Sequence, residues 1–500
     1  MQIEEFLEED DRYLQLIVVW LELKKDSYVY IGEIDELLGL SRFKVKKFVD
    51  NLADDLSIVS TTAHIKITEN GQILTSGFDN LLVKKLTLHL LKRSMKFHFF
   101  MEVLIGGMSF EHFCATNFIS RSTLYKIRKE VNMSLKKKRI KISNNQLKGL
   151  EEDIRNFTFS FLYTAFGGLE SPFTESLLKE VGEIVSRIIL VYDLSLSTSE
   201  NDQLTIFIGI LNLRKYKKIS FSKVLSDISE KQELGFTKQL FSTLTDLWDE
   251  KRSRQESCYL EVFLFCKTQL AIPKTKVREI QHLLAFTQLE DFTSRFLNKV
   301  FSNTKLEVEM ARIFHEEIVK LLIKTLYFDI EFDSFFSKQQ LLFFKESYPV
   351  ISQIVSEEVR YIKRKFSLTP EKIQRIYYDF LFFIVNSVPL KEIEKEIYIC
   401  VDFAQGRHYT GVISKQILGF KNLSLKIEHA ISAKTQLYVS DVPIATRSIA
   451  QIIWKNPPTP TDWREFGDKL IELKGGEDYE QQMDEYDDSK FISNAADVLS

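Results

Sequence analysis

Glycine and proline are scarce, 18 and 9 in 500 residues. That excludes collagen-like, low-complexity and linker-rich organisations and favours long helices joined by short connections. The four cysteines, Cys114, Cys258, Cys266 and Cys400, are scattered, with no C-x-x-C pair and no histidine at metal-ligand spacing. Neither a zinc site nor a disulfide framework is expected, and the pattern fits a reducing compartment. No uninterrupted apolar run reaches the roughly 18 residues of a spanning helix. The chain opens on Glu4, Glu5, Glu8 and Glu9 instead of a basic stretch followed by an apolar one, so a cytoplasmic protein without a membrane partner is expected. Also missing are the phosphate loop G-x-x-x-x-G-K-[ST], the dinucleotide fingerprint G-x-G-x-x-G, the nucleophile elbow G-x-S-x-G and the zinc motif H-E-x-x-H. The sequence therefore implies no cofactor and no enzyme. The nearest approach to an anion-binding turn is the loop at Gly406, which is better read as a plain strand-to-helix connection.

The net charge of −3 conceals segregation. From Lys84 to Lys141 there are fourteen Lys or Arg against only Glu102, Glu111 and Glu130, while residues 477–488 carry seven acids and no base. A basic block near the front and an acidic tail point to an anionic partner for the front.

A chain of this length is too long for one core and should divide into several domains of about 100–150 residues. Leu14, Ile17, Val18 and Leu21 form a helical stripe; Ile34, Leu37 and Leu38 give a second helix stopped by Gly39; Ser41 caps a third with Val45, Phe48, Val49 and Leu52 inward. Ser57–Val59 and His64–Thr68 read as a hairpin. Helix, helix, tight turn, helix, hairpin is the order of a winged helix-turn-helix. The order recurs some eighty residues on: Phe100, Val103 and Leu104; then Phe110 and Phe113; then Ser120 before Leu124, Ile127 and Val131. The run Lys136-Lys137-Lys138-Arg139-Ile140-Lys141 then reads as a basic wing.

The outward side of a third helix enters the major groove and must donate to bases and phosphates. The candidates are Arg42, Lys44, Lys46 and Lys47 in the first unit. In the second they are Ser120, Arg121, Ser122, Tyr125, Lys126, Arg128 and Lys129, with Lys136, Lys137, Lys138, Arg139 and Lys141 on the wing. A single lysine-rich helix is more often a solvated face; two units of the same order with basic third helices favour double-stranded DNA.

From Glu151 the pattern becomes long helices, expected at 151–166, 174–192, 202–214, 237–248, 257–270, 276–300, 307–327, 338–360 and 370–385. Ile397–Val401 then reads as a buried strand, followed by a helix near 408–418 and strands near Leu423–Ile427 and Leu437–Val439, a small α/β domain with a parallel sheet. The fold class is mainly α and multidomain.

This layout resembles the Mga/AtxA family of virulence regulators of Gram-positive bacteria. The resemblance is carried most by Ile119-Ser-Arg-Ser-Thr-Leu-Tyr-Lys-Ile-Arg128, the basic wing, Leu150-Glu-Glu-Asp-Ile-Arg155 and Tyr163-Thr-Ala-Phe-Gly-Gly168. It implies winged units at 1–75 and 76–150, a connecting helix at 151–169, and phosphotransferase-regulation domains (PRDs) at 170–280 and 281–390. An enzyme IIB-like α/β domain at 391–475 and an acidic tail at 476–500 complete the layout. It also implies a homodimer, an activator role, and HPr or related phosphotransferase carriers as partners, with histidines as phosphate acceptors. Residues 170–280 contain no histidine, which leaves His315 and, near the boundary, His282. The loop after the first strand of the last domain, Asp402–Arg407, lacks the cysteine of transporter relatives, and Cys400 lies within the strand. Two other readings stay open: an RNA-binding antiterminator, against which the helical first 150 residues argue, and a helical scaffold, which has no use for the basic block.

Overall fold

The computed structural model describes residues 3–24, 28–106, 109–215, 250–267, 289–301, 308–328, 347–366, 368–388, 393–420, 423–445, 449–455 and 457–475, with positions 217, 219, 221 and 344. The helix expected at 237–248, His282 and the acidic tail lie outside the described residues. The chain divides into two compact units, residues 1–284 with 326–333 and 488–500, and residues 285–325 with 334–487.

The first unit begins with α1 (Glu9–Leu23), β1 (Val29–Tyr30), α2 (Ile31–Leu38), α3 (Arg42–Val59), β2 (His64–Ile67) and β3 (Gln72–Ser76). The strands form an antiparallel sheet in the order β1-β3-β2. Residues Ser57–Val59 belong to α3, not to a hairpin. Leu52 and Leu56 continue the buried stripe through that turn, and the chain leaves the helix where the Ser60 hydroxyl accepts from the backbone of Thr62 and Ala63.

Next come α4 (Asn80–Arg93), α5 (Met95–Ile105), α6 (Phe110–Thr116), α7 (Arg121–Lys136), the hairpin β4 (Lys141–Ser143) and β5 (Gln146–Lys148), and α8 (Glu151–Phe166). The two winged units are interlocked. Arg93 at the end of α4 donates to Asp11 of α1 and to Asp55 of α3, so one guanidinium ties the second unit's lead helix to the first unit's third helix. In the other direction, the 3-10 turn Ile3–Phe6 sends Phe6 into the second unit, where its ring meets Phe100 and Phe161 at 5.2 and 4.7 Å. The Leu7 carbonyl there accepts from buried Lys96 at 2.7 Å.

Helices α9 (Glu175–Tyr192), α10 (Thr198–Leu213) and α11 (Glu250–Lys267) follow. α8 meets them through buried charge: Arg155 donates to Glu151 at 2.8 Å and in a fork to Glu256 of α11 at 2.7 Å, and Arg214 donates to Glu151 at 2.6 Å. The guanidinium of Arg155 stands 5.0 Å over the Tyr259 ring.

The second unit holds α12 (Leu289–Val300), all but the last two residues of α13 (Val308–Tyr327), α14 (Pro349–Lys365) and α15 (Pro370–Ser387), then β6 (Ile397–Asp402), α16 (Arg407–Ile417), β7 (Leu425–Glu428), β8 (Leu437–Ser440), β9 (Ala450–Ile453) and α17 (Pro460–Gly475). The strands form a parallel sheet in the order β7-β6-β8-β9. Its core is Ile397, Ile399, Val401, Leu437 and Val439 against Ile413, Ile417, Phe466 and Leu470. The expected strands and helix are present, joined by β9 and α17, which had no sequence expectation of their own.

Candidate nucleic-acid interface

The two third helices repeat in register with a spacing of 79 residues. The cap Ser41 corresponds to Ser120, and buried Val45, Phe48, Leu52 and Leu56 to Leu124, Ile127, Val131 and Leu135. The turns before them match too. Leu40 N–H donates to the Asp35 carbonyl and Ile119 N–H to the Cys114 carbonyl, a six-to-one closure that puts the residue before it in the left-handed region. The first unit uses Gly39 there, at φ 61; the second uses Phe118, at φ 53. Phe118 is 96% exposed, so no packing among the described residues compensates its strained backbone. Its only signal in the sequence is its alignment with Gly39.

In α7, Ser120 accepts from Thr123 N–H at 3.0 Å, which satisfies one of the first-turn donors that have no partner within the helix. Arg121, Ser122, Tyr125, Lys126 and Lys129 are exposed. From Ser122 on, the outward line runs Tyr125, Lys126, Lys129, Met133 and Lys136, with no acid among them. Arg121 makes one loose contact, 3.6 Å to Glu111, both side chains being well exposed. Arg128 is placed differently: half-buried, it donates to the Ile142 carbonyl at 3.3 Å and lies 5.5 Å from the Phe110 ring centre. It braces the wing rather than projecting from the helix. Asn132, which sequence reasoning missed, does the same, accepting from Ile142 N–H at 2.6 Å and donating to its carbonyl at 3.4 Å. The amide stands in for a neighbouring strand along β4.

The expected basic wing is corrected. Lys136 is the last residue of α7 and Lys137–Arg139 form the turn after it, because Ile140 N–H closes back on the Leu135 carbonyl and Arg139 takes φ 61. The hairpin itself carries Lys141 and Lys148, turning at Asn144 and Asn145 with φ 50 and 54, the left-handed pair a two-residue hairpin turn requires. At 1.5 Å per residue, Lys136 stands roughly 22 Å along the axis from Arg121. Lys137 pairs with Glu5 at 2.6 Å and Arg139 with Asp153 at 2.8 Å.

The first unit offers a poorer anion surface. Lys46 and Lys47 project, but Asp50 and Asp54 follow on the same line of α3. Lys44 folds back over the Tyr13 and Phe48 rings at 5.2 and 5.6 Å. The guanidinium of Arg42 lies against the wing turn, where a Cβ on Gly71 would come within 2.7 Å of it.

Of the two candidate phosphate-accepting histidines, His315 lies within the described residues. His315 is half-buried on α13. Glu316 beside it pairs with Arg312 at 3.4 Å and with Lys320 at 3.8 Å, and Glu317 pairs with Lys320 at 2.8 Å. The carboxylates beside this histidine thus already have cationic partners, and Ile313, two residues before it, is exposed. Cys400 is buried and its thiol is pushed up to about 11, mainly by burial, with Asp402 and Glu428 adding to it; it packs as a core residue, in its thiol form near neutral pH. In the loop after β6 the Ala404 N–H donates to the Asp441 carboxylate at 2.9 Å, so a carboxylate occupies one of the backbone donors a phosphate would need.

Among the described residues no helix is long and apolar enough to cross a membrane. Residues 79–162 match the Mga helix-turn-helix domain, which spans α4 to most of α8: the second winged unit and its two flanking helices. The chain is 25% identical over 239 residues to a protein of Streptococcus pneumoniae serotype 4 (strain ATCC BAA-334 / TIGR4) named "Putative trans-acting regulator". The alignment covers 46% of this chain and 45% of that protein.

Proposed function

We propose that this chain, whose residues 79–162 match the Mga helix-turn-helix domain, is a cytoplasmic DNA-binding transcription regulator, an activator that works as a homodimer. The observation that carries the reading is the acid-free outward line of α7, Ser122, Tyr125, Lys126, Lys129 and Lys136, at the place where a winged unit presents its third helix to the major groove. Arg121, Ser122, Tyr125, Lys126 and Lys129 form the principal contact, Lys141 of the wing holds the backbone, and Lys46 and Lys47 make the second, weaker contact. Arg128 acts behind the surface by holding the wing.

Phosphate neutralisation by these lysines releases counterions, so the affinity of the full chain for duplex DNA must fall steeply with salt. The test is a gel shift on genomic fragments over a salt series. With five phosphate contacts, log Kd rises with log salt at a slope of about 4 to 5; a flat response removes DNA from the reading.

Behind the DNA-binding units we assign residues 170–280 and 281–390 to two PRDs and 391–475 to an enzyme IIB-like domain that holds the dimer and has lost phosphotransfer chemistry. Sugar status then acts through His315, since the first of these domains has no histidine and Cys400 is buried. A phosphate on the imidazole adds close to two negative charges beside Arg312 and Lys320 and competes with Glu316 and Glu317 for them. Incubation with phosphotransferase carriers and phosphoenolpyruvate should label the wild type and leave His315→Ala unlabelled, while His282→Ala keeps its label. Label that persists in His315→Ala moves the site elsewhere.

A further inference from the structure

Phe43 stands where the first winged unit reads DNA, and its chemistry selects one feature of the groove. It is the second residue of α3 and 81% exposed. It begins the outward line that continues through Lys46 and Lys47. With Lys44 folded over Tyr13 and Phe48 and Arg42 drawn to the wing turn, Phe43, Lys46 and Lys47 are what the first two turns of α3 present. No acid lies among residues 41–49, so an anionic duplex can approach this end of the helix. The residue 79 positions later is Ser122, exposed at the same point of α7.

A phenyl ring has no donor or acceptor for a base edge. The major groove offers it one apolar group, the C5-methyl of thymine. Ser122, by contrast, can donate or accept. Resting on the DNA-binding reading above, we infer that Phe43 determines sequence preference by covering a thymine methyl in the major groove, so that the two winged units of one chain read unlike sites. A single exposed phenylalanine is unremarkable on a protein surface; its place at the N-terminal end of a third helix, between cations, gives it this role.

The test uses the full-length chain and duplexes enriched by it from a random-sequence pool. In the best-bound duplex each thymine is replaced in turn by deoxyuridine, which removes the methyl and leaves the pairing edge intact. Binding is followed by fluorescence anisotropy at one salt concentration. At one or two positions the loss of the methyl should weaken binding about threefold to fivefold, the worth of one buried methyl group. Phe43→Ala should weaken binding to the thymine duplex by a similar factor and bind the thymine and deoxyuridine duplexes equally, whereas Phe43→Leu should still discriminate between them. The side chain is solvent-exposed, so thermal unfolding of both variants should match the wild type. The inference is overturned if no position is sensitive to the methyl, or if Phe43→Ala keeps the wild-type sensitivity. Failure to enrich any duplex overturns the DNA-binding reading with it; enrichment without methyl sensitivity overturns this inference alone.

Discussion

Replacing Arg155 with methionine should lower the opening free energy of α8 by about 3–5 kcal/mol, the range for breaking a buried ion pair from one side. The side chain is 1% exposed and Glu151 and Glu256 are as deeply buried, so removing the guanidinium takes from Glu256 its forked partner and leaves Glu151 with Arg214. Burial by itself would lower the Arg155 pKa, yet the carboxylates of Glu256 and Glu151 hold it above the usual arginine range. Burial would raise Glu151, yet Arg155 and Arg214 hold it below its ordinary 4.5. A carboxylate depressed in the folded state stabilises fully above its unfolded pKa and loses that contribution as pH falls through its folded value. The wild type should therefore lose part of its α8 protection below about pH 4.5, and Arg155→Met should show less of that loss because its Glu151 has lost one cation. Hydrogen exchange of α8 amides measures both quantities without requiring two-state unfolding of the whole chain. A change under 1 kcal/mol at neutral pH would mean that the cluster relaxes into water. Arg155→Met combined with Glu256→Leu should recover part of the loss, because it removes a buried carboxylate along with the cation that faced it.

This cluster also marks the limit of what the sequence discloses. Leu150–Arg155 stands out as a motif, but the partners that give it meaning, Arg214 and Glu256, lie 59 and 101 residues beyond Arg155. No local pattern connects them. The winged units are legible because each is a run of short, strongly periodic helices with serine caps at Ser41 and Ser120, which Lys44 and Thr123 N–H groups use as expected. The order of the parallel sheet follows from tertiary packing and could not be read, and β9, all of whose residues are only partly buried, lacks the continuous apolar run that revealed β6. Charge was legible as quantity but not as place. Lys136–Arg139 is the densest basic run in the chain, and only the closure of Ile140 on Leu135 shows that it ends a helix instead of forming a wing. Arg128 and Lys44 look like neighbours of equal standing to Lys126 and Lys47 until their partners are known.

That distinction sets the second large effect. Arg121→Ala with Lys126→Ala and Lys129→Ala should weaken DNA binding by about 3 kcal/mol, near 150-fold, at about 1 kcal/mol for each lost contact. Each lost phosphate contact also removes about 0.9 from the slope of log Kd against log salt, so the triple variant should be less sensitive to salt as well as weaker. All three side chains are exposed, and the loose pair from Arg121 to Glu111 at 3.6 Å contributes little to folding. The loss should therefore appear in binding and not in stability. The matched control is Lys136→Ala with Lys137→Ala and Arg139→Ala, which removes the same charge from the far end of α7. Two of its members already have carboxylate partners, Glu5 and Asp153, so their Coulomb attraction to a phosphate is partly spent within the chain. The control should cost less than tenfold. If the control loses as much affinity as the first set, the duplex lies against the end of α7 and the turn after it, and the assignment of the N-terminal half of that helix to the major groove is wrong.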